Sequence, residues 1–230
     1  MKILAIDSSA VVATAALCED GRLLAEYTVN NGNTHSETLL PMIESLLRHF
    51  SLSASDVGLF AVSAGPGSFT GVRIGAATVK GLAFGMDTPC AEVSTLHALA
   101  QNLSVRDGLI CPVMNARRAQ VYTALFRSEN GQLTRLLPDS AMAISELDEL
   151  LSAYGEPVSF VGDGYGITLA ALEKTQALDV PERLRHQSAF SVATVAYEQF
   201  LAGQTVSDSA LKVNYLRPSQ AERERMNKNT

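Results

Sequence analysis

The 230-residue sequence predicts an α/β protein made of two related lobes, each a mixed sheet with helices on its faces. Three observations predict it. The chain opens on three short apolar strand signals, the second and third joined by a hairpin turn. Helix, strand, helix and strand signals follow in that order. Beyond about residue 105 the same rhythm starts again.

Lys2 to Asp7 reads as an apolar strand, turned by Ser8 and Ser9. Val11 to Cys18 is the second strand and Arg22 to Val29 the third. Asp20-Gly21 between them supplies the positive-φ turn of an antiparallel hairpin. After the polar loop Asn30 to Asn33, Thr34 or Ser36 is placed to cap a helix, with Glu37 three residues beyond Thr34. Leu39, Leu40, Met42, Ile43, Leu46, Leu47 and Phe50 then recur at helical spacing. This stripe is broad enough to meet a core and still leave apolar surface for a partner. Val57 to Ala64 is almost wholly apolar, as in a buried parallel strand. The turn at Gly65 leads to a helix from about Thr70 to Phe84, and Pro89 to Val93 is a short strand. Ser94 is placed to cap a helix running to about Leu103. Three meander strands followed by helix, strand, helix and strand form a ribonuclease H-like pattern.

In the second half Leu109 to Asn115, Gln120 to Arg127 and Gln132 to Pro138 read as strands, with Asn130-Gly131 as another hairpin turn. Ile144 to Tyr154 reads as a helix and Val158 to Val161 as a strand ending at Gly162 to Gly166. Thr168 to Lys174 and Ser188 to Leu201 read as helices. The expected division is an N-terminal lobe over 1–104, a C-terminal lobe over 105–220 and a polar, frayed tail over 221–230.

Hydrophobic residues make up 47% and charged residues 18%, a balance that supports a real core. The net charge of −6 argues against a large autonomous nucleic-acid surface, because phosphate contacts need clustered Lys and Arg. Work on nucleic acid beside a basic partner stays open. Met1 to Asp7 is too short for a signal-peptide core, and no apolar run approaches the ~20 residues of a membrane span. Cys18, Cys90 and Cys111 are far apart and read as buried thiols of a cytoplasmic protein.

Several stretches are candidates for chemistry. Asp7-Ser8-Ser9 at the end of the first strand suits phosphate or metal contact, or a turn in which Asp7 caps local backbone. Gly65-Pro66-Gly67-Ser68-Phe69-Thr70-Gly71 joins a strand to a helix N-terminus, where anions bind. Its spacing matches neither phosphate-loop pattern, and the nearest cation is Arg73. The helix behind it places Gly71, Gly75 and Val79 on one face and Ala77, Gly81 and Gly85 on an adjacent one. Each helical glycine costs about 0.8–1 kcal/mol relative to alanine, so close approach of another backbone is the stronger reading. Gly162-Asp163-Gly164-Tyr165-Gly166 is either a plain loop or a glycine turn that lets a base approach. Arg117 and Arg118, between two strands, form the strongest local positive patch. His35, His49, His97 and His186 are isolated, and there is no nucleophile elbow.

Met1 to Ser9, the string Gly65 to Gly75, Gly81-Leu82-Ala83, Val93 to Leu96, Ala116 to Arg118 with Val121-Tyr122, and Tyr215-Leu216-Arg217 together resemble the bacterial TsaB (YeaZ) family. The resemblance runs from residue 1 to about 217. It implies an ASKHA fold, related to actin and Hsp70, of two ribonuclease H-like lobes. It implies a role in making threonylcarbamoyladenosine, the modified adenosine beside the anticodon of tRNAs reading codons that begin with A. In this family's pathway the paralogue TsaD transfers threonylcarbamoyl to the adenosine N6, and the TsaE ATPase joins the complex. The TsaB role implied is that of a non-catalytic scaffold and activator. Where the paralogue binds metal through His-x-x-x-His, the matching positions here are Thr95 and Leu99, which cannot replace imidazole. No metal and no cofactor are therefore expected. The family's usual Asp stands as Asn115 here.

The expected partner interface uses Leu39, Met42, Ile43 and Leu46 of the first helix with Gly71, Ile74, Gly75, Thr78 and Leu82 of the second. These form a four-helix seam with TsaD, or a homodimer when the chain is alone. Asp7, Ser8 and Ser9 are expected to contribute to a nucleotide site completed by a partner. Arg117 and Arg118 are expected to touch tRNA or a partner, with tRNA otherwise met through the complex. The alternative from another class is an ATP-dependent small-molecule kinase of the same superfamily.

Overall fold

In the computed structural model, which describes residues 1–32 and 34–217, the opening strands are β1 (Lys2–Asp7), β2 (Ala13–Glu19) and β3 (Arg22–Val29). They pair antiparallel in sequence order. Asp20 and Gly21 take φ of 48° and 80°, a turn whose twist matches its strands. Next come α1 (His35–His49), β4 (Leu59–Gly65), α2 (Phe69–Ala83) and β5 (Cys90–Ser94). β4 lies parallel beside β1, and β5 parallel beside β4. The first sheet thus has the order β3-β2-β1-β4-β5. α3 (Thr95–Gln101) leaves it, capped as expected by Ser94, whose Oγ accepts from the His97 N–H at 3.2 Å.

The second lobe contains β6 (Gly108–Asn115), β7 (Gln120–Glu129), β8 (Gln132–Ala143), α4 (Ile144–Ser152), β9 (Val158–Val161), α5 (Tyr165–Leu169) and β10 (Ala177–Leu178). β6, β7 and β8 are an antiparallel meander, and β9 and β10 add in parallel. The order β8-β7-β6-β9-β10 repeats the first sheet strand for strand. This internal repeat is the two-lobed ASKHA architecture.

Helices and sheets stack in five layers. α1 and α2 cover the outer face of the first sheet through Leu39, Ile43, Leu46, Ala76 and Val79. Its inner face meets α6 (Ala189–Leu201) through small side chains such as Ala189, Ala193 and Ala196. α3 lies between the sheets and gives Leu96, Leu99 and Leu103 to the second lobe's inner core. α4 and α5 cover the second sheet's outer face. Placing all of 105–220 in a C-terminal lobe is therefore corrected: α6 returns to the first sheet, whose Ile3, Ala5 and Ala61 face needs a cover. The expected frayed tail lies outside the described residues.

Local departures have physical causes. Thr34 precedes α1 but its side chain does not cap it; its Oγ1 instead accepts from Ser36 Oγ at 3.2 Å. β8 runs past Pro138 to Ala143 because the register shifts opposite it, and an edge-strand bulge tolerates a residue with no N–H. The helix expected over 168–174 is the earlier α5, since the N–H groups of Glu173, Lys174 and Thr175 bond the Asp148 carboxylate instead. β10 is two residues long, too short to show a period.

Among the described residues no helix is long and apolar enough to cross a membrane. Cys18, Cys90 and Cys111 are free and buried. Desolvation pushes their thiols up to about 12, 11 and 12, and the thiolate is the reactive form. All three are expected to ignore Ellman's reagent at neutral pH until the protein is unfolded. Fast labelling of the folded chain would contradict this.

Candidate functional site

The turn after β1 is bound into the protein itself. Asp7 Oδ1 accepts from the Ser9 N–H at 2.8 Å and Ser9 Oγ at 2.6 Å, and Oδ2 accepts from Ser63 Oγ at 2.5 Å. Ser8 Oγ donates to the Gly71 carbonyl at 2.9 Å, and the Ser68 N–H donates to the Ser9 carbonyl at 2.7 Å. Asp7 is 1% exposed. Burial raises its pKa, and the donors from Ser63 and Ser9 pull it back only in part. Asp7, Ser8 and Ser9 spend these side-chain bonds on one another, on β4 and on α2. Their side-chain oxygens are already engaged, and Asp7 caps its own turn.

The glycines after β4 serve the same knot. A Cβ on Gly71 would overlap the Ser8 carbonyl oxygen, and one on Gly67 would stand 2.5 Å from the Ser9 carbonyl oxygen. A Cβ on Gly75 would stand 2.8 Å from Ser8 Oγ and 3.1 Å from Val62. The close-approach reading of this helix holds at Gly71 and Gly75, where the neighbour is the chain's own first lobe, and fails at Gly81, which meets nothing within 4 Å. Gly71 and Gly75, expected at a partner interface, are buried within the first lobe. So are Leu39, Met42, Ile43 and Leu46. Met42, the most accessible of the four at 8%, is still buried. Their stripe covers the sheet beneath, packing with Leu4, Phe60 and Val62.

What stays outside is a smaller face. It carries Leu40 on α1, 53% exposed, and Ala77, Gly81 and the 79%-exposed Phe84 along and just beyond α2. Ile74, Thr78 and Leu82 are half-buried at its edge. A Cβ on Gly81 would meet nothing within 4 Å.

A segment after α6 straps the first lobe. Val206 and Cys90 exchange backbone hydrogen bonds at 2.8 and 2.9 Å, and the Asn214 N–H donates to the Ala64 carbonyl at 2.7 Å. Leu211 is buried among the α1–α2 core residues. Gly65, at φ +112°, lets the Asn214 carbonyl pass where a Cβ would sit. Tyr215 packs on Phe69 at 4.8 Å between ring centres, and Arg73 Nε donates to its hydroxyl at 2.6 Å. Arg217 then reaches the second lobe, donating to the Ala116 carbonyl at 3.4 Å and to Gln120. Tyr215 and Arg217 are foreseen in the sequence only through the family resemblance. The unexplained Tyr-Leu-Arg string after the last helix was the available signal.

Between the lobes opens a cleft of about 710 Å³. Ser9, Ala10, Val11 and residues 66–70 come from the first lobe, residues 114–117, Tyr122 and Asp163 from the second, and residues 214–217 from the strap. Arg117, Arg118 and Ala119 take φ of 63°, 55° and 54°. Asn115 Oδ1 fixes this turn by accepting from the Arg117 N–H at 2.8 Å, a bond that an aspartate would make equally well. Asn115 also donates its N–H to Asp163 Oδ1 at 3.2 Å. Burial is the chief reason that the Asp163 pKa is raised. Of the two readings of the turn at 162–166, the geometry at two of its glycines favours the plain loop: a Cβ on Gly162 or Gly164 would press on the Val113 carbonyl oxygen. Those two glycines admit β6, not a ligand. At the positions matching the paralogue's metal pair, Thr95 and Leu99 are buried. His97 between them stacks on Phe126 at 5.2 Å, and burial, helped by Arg135, lowers its pKa to about 4.

Two sheets of one topology facing across a strapped cleft define a two-lobed protein of the ASKHA class. A family model described as TsaD, tRNA N6-adenosine threonylcarbamoyltransferase, matches residues 23–223. The chain is 40% identical over 162 residues to the tRNA threonylcarbamoyladenosine biosynthesis protein TsaB of Bacillus subtilis, covering 70% of this chain and 71% of that one. For the Escherichia coli protein of the same name the figures are 38% over 134 residues, 57% and 58%. The solved structure of YeaZ from Pseudomonas aeruginosa superposes with a TM-score of 0.81 at 28% identity, covering 94% of this chain and 99% of that one. The chain belongs to the bacterial TsaB (YeaZ) family.

Proposed function

We propose that this chain serves threonylcarbamoyladenosine synthesis in tRNA, in the cytoplasm, as a subunit with no catalytic chemistry of its own. It binds and activates a TsaD-type transferase and works with a TsaE-type ATPase. The names of its relatives place them in that pathway. The observation that carries the reading is the contrast between a closed β1 turn and an open helical face. The residues best suited to phosphate or metal are bonded to one another, while Leu40, Ala77, Gly81 and Phe84 stand exposed. Small residues there let a partner helix approach closely, and the aromatic ring gives it an anchor. In the absence of the partner the same face pairs with itself.

Gly81→Leu tests this cleanly because its side chain points into open space. It is expected to weaken association with the partner by about tenfold or more and to lower tRNA modification in parallel, with the melting temperature unchanged. Wild-type association of a folded Gly81→Leu chain would overturn the docking face. Modification of tRNA by the chain alone would overturn the absence of catalysis.

A further inference from the structure

At the mouth of the interlobe cleft an acidic chain gathers four arginines. Arg117 and Arg217 line the cleft, and Arg118 extends beyond Arg117 on the exposed turn. Arg73 lies over the Phe69 ring at 3.7 Å and bonds the Tyr215 hydroxyl, and both rings line the same cleft. Among the described residues none of the four has a carboxylate partner; the arginine ion pairs are at Arg127–Glu156, Arg135–Asp139 and Arg185–Asp179. Arg217 rests on neutral acceptors. The carboxylate in the cleft wall is Asp163, whose pKa burial raises.

Like charges held together without counter-charges repel, and in a chain of net charge −6 such a cluster is best explained by an anionic partner. The rings interleaved with the arginines narrow the class. Phe69 is taken up by Arg73 and Tyr215, but Tyr122 and the 40%-exposed Tyr215 offer stacking faces, which a polyphosphate or an acidic peptide does not use. A single-stranded nucleic acid uses both, its phosphates on arginine and its unstacked bases on aromatic rings. A duplex hides its bases and gains only the charge.

We propose that this rim is the chain's own binding site for a single-stranded phosphodiester segment, the loop of a folded RNA. Only the identification of that RNA as a tRNA rests on the function proposed above.

The test is fluorescence anisotropy with a labelled hairpin RNA bearing an unpaired loop and a matched duplex RNA. It uses the full chain, alone and joined to its TsaD-type partner. The hairpin is expected to bind more tightly than the duplex, with log affinity falling linearly with log salt. Arg117→Glu with Arg118→Glu is the deciding variant, because both side chains are solvent-facing and their replacement does not disturb the strap. It is expected to lower hairpin affinity by about tenfold or more and to flatten the salt slope by roughly one for each phosphate no longer neutralised. Arg217→Gln and Arg73→Gln are expected to lose a few-fold each, with circular dichroism reporting the fold. Gel filtration with the partner separates the two readings: the Arg117/Arg118 variant is expected to keep the partner, and Gly81→Leu to lose it. Unchanged affinity and salt slope in the folded Arg117/Arg118 variant would overturn the proposal. So would equal binding of duplex and hairpin, or loss of the partner in place of the RNA, which would assign the arginines to a protein contact.

Discussion

Gly71→Ala is expected to melt roughly 10 °C below the wild type, whereas Gly81→Ala, further along the same helix, is expected to melt at the same temperature or slightly above it. Helix propensity alone predicts the same gain for both, about 0.8–1 kcal/mol. The difference comes from what each Cβ meets. At Gly81 there is open space. At Gly71 the new methyl falls on the Ser8 carbonyl oxygen, and a backbone atom cannot rotate aside. Ser8 is fixed there from three sides. Its own Oγ bonds the Gly71 carbonyl, its neighbour Ser9 receives the Ser68 N–H, and Asp7 is tied to β4 through Ser63. Relief requires moving α2 off β1, and overpacking of that kind costs about 1–3 kcal/mol, with a rigid backbone contact such as this at the upper end. Thermal melts of the two alanine variants decide it. Equal melting temperatures would mean that the β1 turn yields easily.

The second large effect is at Asp7. Asp7→Ala is expected to cost about 3 kcal/mol or more, because Ser63 Oγ, Ser9 Oγ and the Ser9 N–H all lose their acceptor in a buried site. Asp7→Asn keeps the shape and an acceptor for Ser9, and its amide can donate to Ser63, so its cost is far smaller. The pair also differs in its response to pH. Burial raises the folded-state pKa of Asp7 above 3.8, so the folded chain holds this proton to higher pH than the unfolded chain. The group's contribution to stability is therefore full below 3.8 and is lost as pH rises through the folded value. Asn cannot titrate. As pH rises from 3.8 through the raised folded value, the stability of Asp7→Asn relative to the wild type is expected to rise. Parallel melting curves for the two proteins across that range would show that Asp7 is charged at no cost. Asp148 runs the other way: burial opposes its charge, but the N–H donors from residues 173–175 outweigh this and lower its pKa. Whole-protein pH curves thus mix both signs, and the difference from Asp7→Asn isolates one.

The strands and turns of both sheets were legible because their signals are local, whereas the return of α6 to the first sheet was not. The meanders, the Asp20-Gly21 and Asn130-Gly131 turns, the Ser94 cap and the near-continuous apolar β4 each depend on a few neighbouring residues. β10 and the true start of α5 were not legible. The first is two residues long, and the second turns on a carboxylate from α4, at Asp148, taking the N–H groups that a later helix would have used.

The candidate site divides the same way. Residue spacing alone favoured close packing of the helix behind Gly65 over a phosphate loop, since helical glycines need a reason. It also established that Arg117 and Arg118 stand together on a turn. It could not say which backbone was near, nor which side of a broad apolar helix faced inward. Periodicity reports that a face is buried and not what buries it. Only the tertiary structure put Gly71 against Ser8, turned Leu39, Met42, Ile43 and Leu46 into the core and left Leu40, Gly81 and Phe84 outside. It also carried Tyr215 and Arg217 back across both lobes to stand with Arg73 and Arg117. Pairings made across such sequence separations, 142 residues between Arg73 and Tyr215, leave no periodic trace in the chain, because they depend on where the sheets place their edges and not on which residues are neighbours.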